Sequence, residues 1–265
     1  MLVAHRGGAG LAPENTLDAF GPAVLQWGAD MLEMDVRLSK DGHVVVIHDE
    51  TVDRTTEGSG RVADLTLADL GSLDAGYRFE DRPGRFPFRG QGVRIPTLEE
   101  VLLAFPNMRM NVEAKESRVA GPLVEVVRKH RAQARVLVAA EFERSRREVR
   151  GYEGPWGASR HHIFWTWALH RLPRGGFYTP GADILQVPEV WKGLRIVTPR
   201  LIEQAHLRNL PVQVWTVDDA QDMRRLLDWG VDGIQSDRPD LLASVLCDRG
   251  LRPPPPGLRA KDDEV

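Results

Sequence analysis

Short apolar runs of strand length alternate with longer amphipathic stretches along this chain. Few folds accommodate that rhythm, and parallel strands joined by crossover helices require it. The runs are Leu2 to His5, Met31 to Val36, Met108 to Ala114, Val136 to Ala140, a weak one at Trp156 to Ala158, Asp183 to Val187, Val212 to Val217 and Gly233 to Ser236. Helical patterns cover Thr16 to Trp27, Leu98 to Phe105, Ala120 to Lys129, Arg144 to Arg150, His161 to Leu172, Pro199 to Arg208, Ala220 to Trp229 and Pro239 to Cys247. Pro199 and Pro239 suit first helical turns, where the missing N–H has no partner to lose. Thr97 with Glu100 makes a capping-box pattern ahead of Leu98. Eight strand candidates predict an α/β fold of the (β/α)8 TIM-barrel type, and 265 residues suit one such domain over 1–251.

Two places break the rhythm. After Val36 a second apolar run, Val44-Val45-Val46-Ile47, follows Lys40-Asp41-Gly42 with no room for a crossover helix, and Asp-Gly between such runs signals a hairpin. A hairpin turning at Asp41-Gly42 returns His48 towards Asp35. Residues 50–97 are rich in Gly, Asp and Arg, with one short helical pattern from Leu65 to Leu73. A structureless loop of that length is improbable in a compact barrel, so an inserted subdomain after the second strand is expected over the barrel mouth. Residues 252–265, with Pro253 to Pro256 and then Lys261-Asp262-Asp263-Glu264, read as a disordered tail.

A net charge of -3 with interspersed signs gives no basic face for a nucleic-acid backbone. The lone Cys247 forms no internal disulfide and has no zinc-type companions. No apolar stretch reaches the roughly 18 residues of a membrane span, and Met1 to Arg6 turns polar too soon for a signal peptide, so a cytoplasmic protein without stable membrane insertion is expected.

Strand side chains alternate between faces, so Glu33 and Asp35 share one while Met34 and Val36 take the other. With the apolar pair packed on helices, the acids face the interior near the strand's C-terminal end, where barrel enzymes build their sites. Glu113 ends the next barrel strand. Any one of these acids alone reads better as a salt-bridge partner of Arg37 or Lys115. Three at corresponding strand ends favour a hard divalent cation, and oxygen-only ligation suits Mg2+ or Ca2+ better than zinc. His5 and Arg6 close the first strand before Gly7-Gly8, and a guanidinium fork suits phosphate. Lys115 lies on the same side as Glu113 and adds a second cation. His48, at the hairpin's end, gives a second imidazole, so that one takes a proton and the other gives one. Trp215 either stacks on the apolar part of a ligand or fills the barrel interior.

His5-Arg6-Gly7, Pro13-Glu14-Asn15-Thr16, Glu33-x-Asp35, His48-Asp49, Arg54-Thr55-Thr56, Ile95-Pro96-Thr97-Leu98-Glu99-Glu100, Glu113-x-Lys115, Val214-Trp215-Thr216-Val217 and Gly230-Val231-Asp232-Gly233-Ile234 with Asp237-Arg238-Pro239 follow one another in order. In this the chain resembles the glycerophosphodiester phosphodiesterase family. The resemblance implies hydrolysis of small glycerophosphodiesters to sn-glycerol 3-phosphate and an alcohol. It implies Glu33, Asp35 and Glu113 as ligands of Ca2+ or Mg2+ and His5 and His48 as the acid/base pair. Arg6 and Lys115 would hold phosphate, and Trp215 would line a glycerol pocket. Asn15 is expected to cap the helix beginning at Thr16, with Glu14 reaching the site. Ala140-Glu141-Phe142 departs from a commoner Ser-Ser-Phe, and Glu-Ala-Lys from Glu-Ile-Lys; both bear on the pocket wall. Two rivals remain. One is a phospholipase D-like enzyme on lysophospholipids or sphingomyelin, with Tyr77, Phe79, Phe86 and Phe88 lining an acyl channel instead of forming the subdomain's own small core. The other is a non-catalytic phosphodiester-binding barrel.

Overall fold

The computed structural model describes residues 1–140, 143–149, 151–170 and 178–262. Its strands are β1 Leu2–Ala4, β2 Met31–Leu38, β3 Val44–Val46, β4 Arg109–Ala114, β5 Val136–Ala140, β6 Leu185–Pro188, β7 Val190–Trp191, β8 Leu194–Arg195, β9 Val212–Trp215 and β10 Gly233–Ser236. The helices are α1 Leu17–Leu25, α2 Leu67–Gly71, α3 Leu98–Ala104, α4 Ser117–Lys129, α5 Glu143–Glu148, α6 Arg160–Leu169, α7 Pro199–His206, α8 Ala220–Asp228, α9 Pro239–Asp248 and α10 Pro256–Asp262. Parallel strands run in the order β5-β4-β2-β1-β10-β9-β6. The weak run at Trp156 to Ala158 forms no full strand, yet it bridges the two ends of this sheet. Trp156 pairs with Val138 and Gly157 with Ile184, both parallel, so the sheet closes into the barrel. Asp183 takes the Trp156 N–H on its side chain at 2.7 Å, which leaves the crossing only two ladder residues wide.

Apolar residues facing outward from the strands, among them Leu2, Met34, Val112, Val138, Val187, Val214 and Ile234, make one core with the helices. Inside the barrel lies a polar layer in which Gln213 Oε1 accepts from Gln186 Nε2 at 3.0 Å and from Gln235 Nε2 at 3.4 Å. Burying three amides is tolerable because they satisfy one another. Helix starts follow their caps: Thr97 and Glu100 make the expected capping box, and Pro199 and Pro239 sit in first turns. Helix α4 begins three residues earlier than expected, at Ser117. Of the helix expected over His161 to Leu172, residues 171 and 172 lie outside the described residues, as do Arg150, Glu141 and Phe142.

The hairpin forms, with Val36 opposite Val46 and Leu38 opposite Val44. Its loop has three residues instead of two: the Ser39 N–H donates to the His43 carbonyl at 2.9 Å, and Gly42 takes the left-handed φ of 85° that such a loop needs. Residues from the following segment, Val52, Val62, Leu70, Ala75, Val93 and Ile95, pack with Val45 and Ile47 into a second small core. That core is aliphatic, and of the four aromatic residues in question only Phe88 packs against it. Phe79 meets Phe88 edge-on at 5.3 Å, and Arg89 lies over Tyr77 at 4.3 Å and Phe86 at 3.7 Å. These rings are occupied by one another and by an arginine.

Of the tail expected to be disordered, residues 263–265 lie outside the described residues, and residues 252–262 have partners on the barrel. Gly257 N–H donates to the Gln26 carbonyl at 2.9 Å, Leu258 packs on the main core, and the Arg252 guanidinium donates to the Gly28 carbonyl. Proline after a helix end stops that helix without preventing the chain from docking again. Among the described residues no helix is long and apolar enough to cross a membrane.

Candidate active site

Glu33 and Asp35 lie on the inward face of β2, 3% and 1% exposed, and the register places Glu113 of β4 opposite Asp35. One carboxylate oxygen from each lies within 4.8 Å of the other two. Arg6 has a left-handed φ of 49°, and its backbone N–H donates to Glu33 Oε2 at 2.9 Å. Lys115 Nζ stands 3.4 Å from Asp35 Oδ1 and 3.2 Å from Glu113 Oε1. Arg6 Nε stands 3.2 Å from Asp35 Oδ2, an ion pair without an aligned hydrogen bond.

Asn15 does not cap α1. Thr16 does, accepting the Ala19 N–H at 3.2 Å. Asn15, buried and at a φ of 60°, turns its amide inward instead: Nδ2 donates to Asp35 Oδ2 at 3.0 Å, and Oδ1 accepts the Asp35 N–H at 3.2 Å. It thereby fixes both the side chain and the backbone of a candidate ligand.

Both imidazoles are anchored the same way. His5 Nδ1 bonds Asp237 Oδ1 at 2.7 Å, and its Nε2 lies 3.9 Å from Glu33 Oε2. His48 Nδ1 bonds Asp49 Oδ1 at 2.6 Å, while Arg37 Nε donates to the His48 carbonyl at 2.8 Å and the Ile47 N–H to the Asp35 carbonyl at 2.9 Å. A carboxylate on Nδ1 keeps a proton there and leaves Nε2 to exchange one. Arg54 then ties two loops together, with Nε on Asp49 and its Nη1 and Nη2 on the two oxygens of Glu14, each at 2.7 Å. Glu14 also accepts from Arg6 Nη1 at 3.0 Å. The chain from His48 through Asp49, Arg54, Glu14 and Arg6 to Asp35 is therefore continuous.

The model of the glycerophosphoryl diester phosphodiesterase family matches residues 5–149 and 170–241. The chain belongs to this family. A glycerophosphodiester phosphodiesterase of Caldanaerobacter subterraneus is 36% identical over 93% of this chain and 97% of its own length. The crystal structure of glycerophosphodiester phosphodiesterase from Agrobacterium tumefaciens, 30% identical, covers 92% of this chain and 98% of its own with a TM-score of 0.72. A phosphodiesterase of Oleispira antarctica, in complex with the product sn-glycerol-3-phosphate, is 26% identical over 93% of this chain and 96% of its own, with a TM-score of 0.75.

Within this family member the electrostatics are uneven. Burial, reinforced by the Asp35 charge, pushes Glu33 up to about 8. Burial alone would also raise Asp35, but Lys115 and Arg6 outweigh it and hold that carboxyl low. Burial disfavours charged His5, yet Glu33 and Asp237 raise it to about 9. The pocket holds more potential negative charge than its own cations neutralise. Three converging oxygen donors with that deficit fit a hard divalent cation. Trp215 ends β9 and is exposed there, so it does not fill the barrel interior. Its register partner is Pro188 of β6.

Sequence reading brought His5, Arg6, Glu14, Glu33, Asp35, His48, Glu113 and Lys115 to one cluster, and they meet there. It missed the partners of Asn15, Asp49, Arg54 and Asp237. A left-handed Asn beside Glu14 and an Asp directly after His48 were visible signals. Asp237, 232 residues from His5, carried none beyond its place at the end of the last strand, beside β1 in a closed barrel.

Proposed function

We propose that this chain hydrolyses glycerophosphodiesters such as glycerophosphocholine and glycerophosphoethanolamine to sn-glycerol 3-phosphate and an alcohol. In this reading Glu33, Asp35 and Glu113 hold a divalent cation, Mg2+ or Ca2+, and His5 and His48 are the acid/base pair. The observation that carries it is the arrangement of two imidazoles, each with Nδ1 fixed by a carboxylate, around a converging carboxylate trio. The product held by the Oleispira relative supports the substrate class.

A cation held by Glu33, Asp35 and Glu113 would supply neutralisation of the charge growing on the phosphoryl oxygens and would make an oxygen nucleophile more acidic. The side chains do the rest. Arg6 and Lys115 hold the phosphate oxygens, and Arg6 is itself held by Glu14. One imidazole takes the proton of the attacking water, or of a glycerol hydroxyl whose cyclic phosphate product water then opens, and the other gives a proton to the departing alkoxide as its bond to phosphorus breaks. Trp215 offers an indole face to the glycerol moiety. The test is release of glycerol 3-phosphate from a panel of head groups, followed by a coupled dehydrogenase, beside release of choline from lysophosphatidylcholine, followed by a choline oxidase. Turnover of the deacylated diesters supports the reading. Turnover of lysophosphatidylcholine alone overturns it in favour of the phospholipase D-like rival.

A further inference from the structure

Large apolar side chains are exposed along one side of the barrel mouth, away from the inserted segment. The Trp191-Lys192-Gly193-Leu194 turn carries left-handed φ values of 48° at Lys192 and 78° at Gly193, which make a tight hairpin of β7 and β8. Val190, Trp191 and Leu194 on that ribbon and Phe164 and Trp165 on α6 are 40% to 54% exposed. Trp191 and Leu194, register partners on one face of the ribbon, form a strip with Phe164 and Trp165, and Val190 takes the ribbon's other face. Trp167 Nε1 donates to the Arg195 carbonyl at 3.3 Å, joining α6 to the ribbon, and Phe164 packs on Trp165 and Trp167 at 5.4 and 6.4 Å. At its other end the ribbon springs from β6, whose Pro188 lies beside the exposed Trp215.

The tip of the strip is basic, with Lys192 lying 4.9 Å over the Trp191 ring. Sequences 160–169 and 190–195 contain no acidic residue. The adjoining Glu189 is committed to Arg195 at 3.1 Å and Arg225 at 2.8 Å. An exposed apolar patch of this kind marks a docking surface. Tryptophans with a lysine at a protruding tip suit the boundary between acyl chains and head groups, where the ring is half wetted and the ammonium stays among anions. We infer that this strip docks the barrel mouth on the surface of a bilayer bearing anionic phospholipid, with the ribbon tip as its leading edge. Such docking is peripheral and reversible, and it sets the mouth facing the lipid surface.

Co-sedimentation with vesicles tests this without reference to turnover. The intact chain is mixed at low ionic strength with vesicles of phosphatidylcholine, or of equal parts phosphatidylcholine and phosphatidylglycerol. The wild type should partition onto the anionic vesicles. The Trp191→Ala/Leu194→Ala double variant should partition at least about tenfold less, and Lys192→Ala about fivefold less. These residues touch no member of the carboxylate and histidine cluster, so hydrolysis of soluble glycerophosphocholine should be unchanged in both variants, which also shows that they fold. Failure of the wild type to sediment with anionic vesicles, or equal partitioning of the double variant, overturns the inference. So does light scattering that shows a dimer dispersed by Trp191→Ala/Leu194→Ala, since a second copy would then cover the strip. A chain that docks yet releases no glycerol 3-phosphate would sink the catalytic proposal and leave this one standing.

Discussion

The two histidines use one device in two different settings. His5 belongs to the barrel: it follows β1, its carboxylate partner Asp237 follows the neighbouring β10, and strand pairing places the two together. His48 belongs to the added material. It ends the β3 hairpin, and its partner Asp49 is held by Arg54 from the inserted segment. Glu33 and Asp237 outweigh burial and keep His5 a cation up to about 9, whereas the His48 arm is more open to solvent. A closed barrel thus supplies one orienting carboxylate through its topology. The other has to be built from a hairpin, a clamp and a small second core.

Several substitutions would break or sharpen that contrast. The largest losses should come from the imidazoles themselves: His5→Ala and His48→Ala should each lower kcat on the order of 10²–10⁴-fold. Near-normal turnover by either would remove that histidine from the acid/base pair. Next come the orienting carboxylates. Asp237→Asn and Asp49→Asn should cost roughly 10–100-fold in kcat, with Asp237→Asn the more damaging because its imidazole is buried. The reverse order would mean that the added material, rather than the barrel, sets the chemistry. Arg54→Ala should cost less, about tenfold, and Arg54→Lys should recover only part, since an ammonium cannot grip Glu14 with two hydrogen bonds and Asp49 with a third. Full activity in Arg54→Ala would show that the clamp is not needed to place His48.

The smallest effect concerns stability. The folded-state pKa of His5 lies above its ordinary 6.5, so its contribution is full below about pH 6.5 and is lost as pH rises through about 9. The raised Glu33 acts in the same direction. Thermal melts of the metal-stripped chain should therefore fall by about a few degrees between pH 6.5 and 9. The slope should flatten in Asp237→Asn and persist in Asp49→Asn.

This contrast also marks how far the sequence could be read. Strand-helix alternation specifies the barrel because period and topology are local properties multiplied around a ring, and Glu33-x-Asp35 follows from the two-residue repeat of one strand. His48 was within reach because Asp41-Gly42 folds it back over a short hairpin. The Trp156 to Ala158 run was the weakest of the strand signals and pairs the least. Asn15 illustrates the limit: its place just before a helix reads as a cap, and only the inward turn at a φ of 60° shows that Asp35 is its partner. Residues 252–262 show the same limit. A proline-rich composition describes a chain with little to bury, but Arg252 and Leu258 find long-range partners on the barrel that composition cannot contain.

The carboxylate trio is common ground for both arms, since Glu33 faces His5 and Asp35 is held by Asn15, Lys115 and Arg6. The most direct test is therefore hydrolysis of glycerophosphocholine by the metal-stripped wild type and Asp35→Asn, with EDTA present or with Mg2+ or Ca2+ restored. The account predicts that EDTA abolishes glycerol 3-phosphate release by the wild type, that one of the two cations restores it, and that neither rescues Asp35→Asn. Undiminished release in EDTA, or a fully active Asp35→Asn, would contradict it.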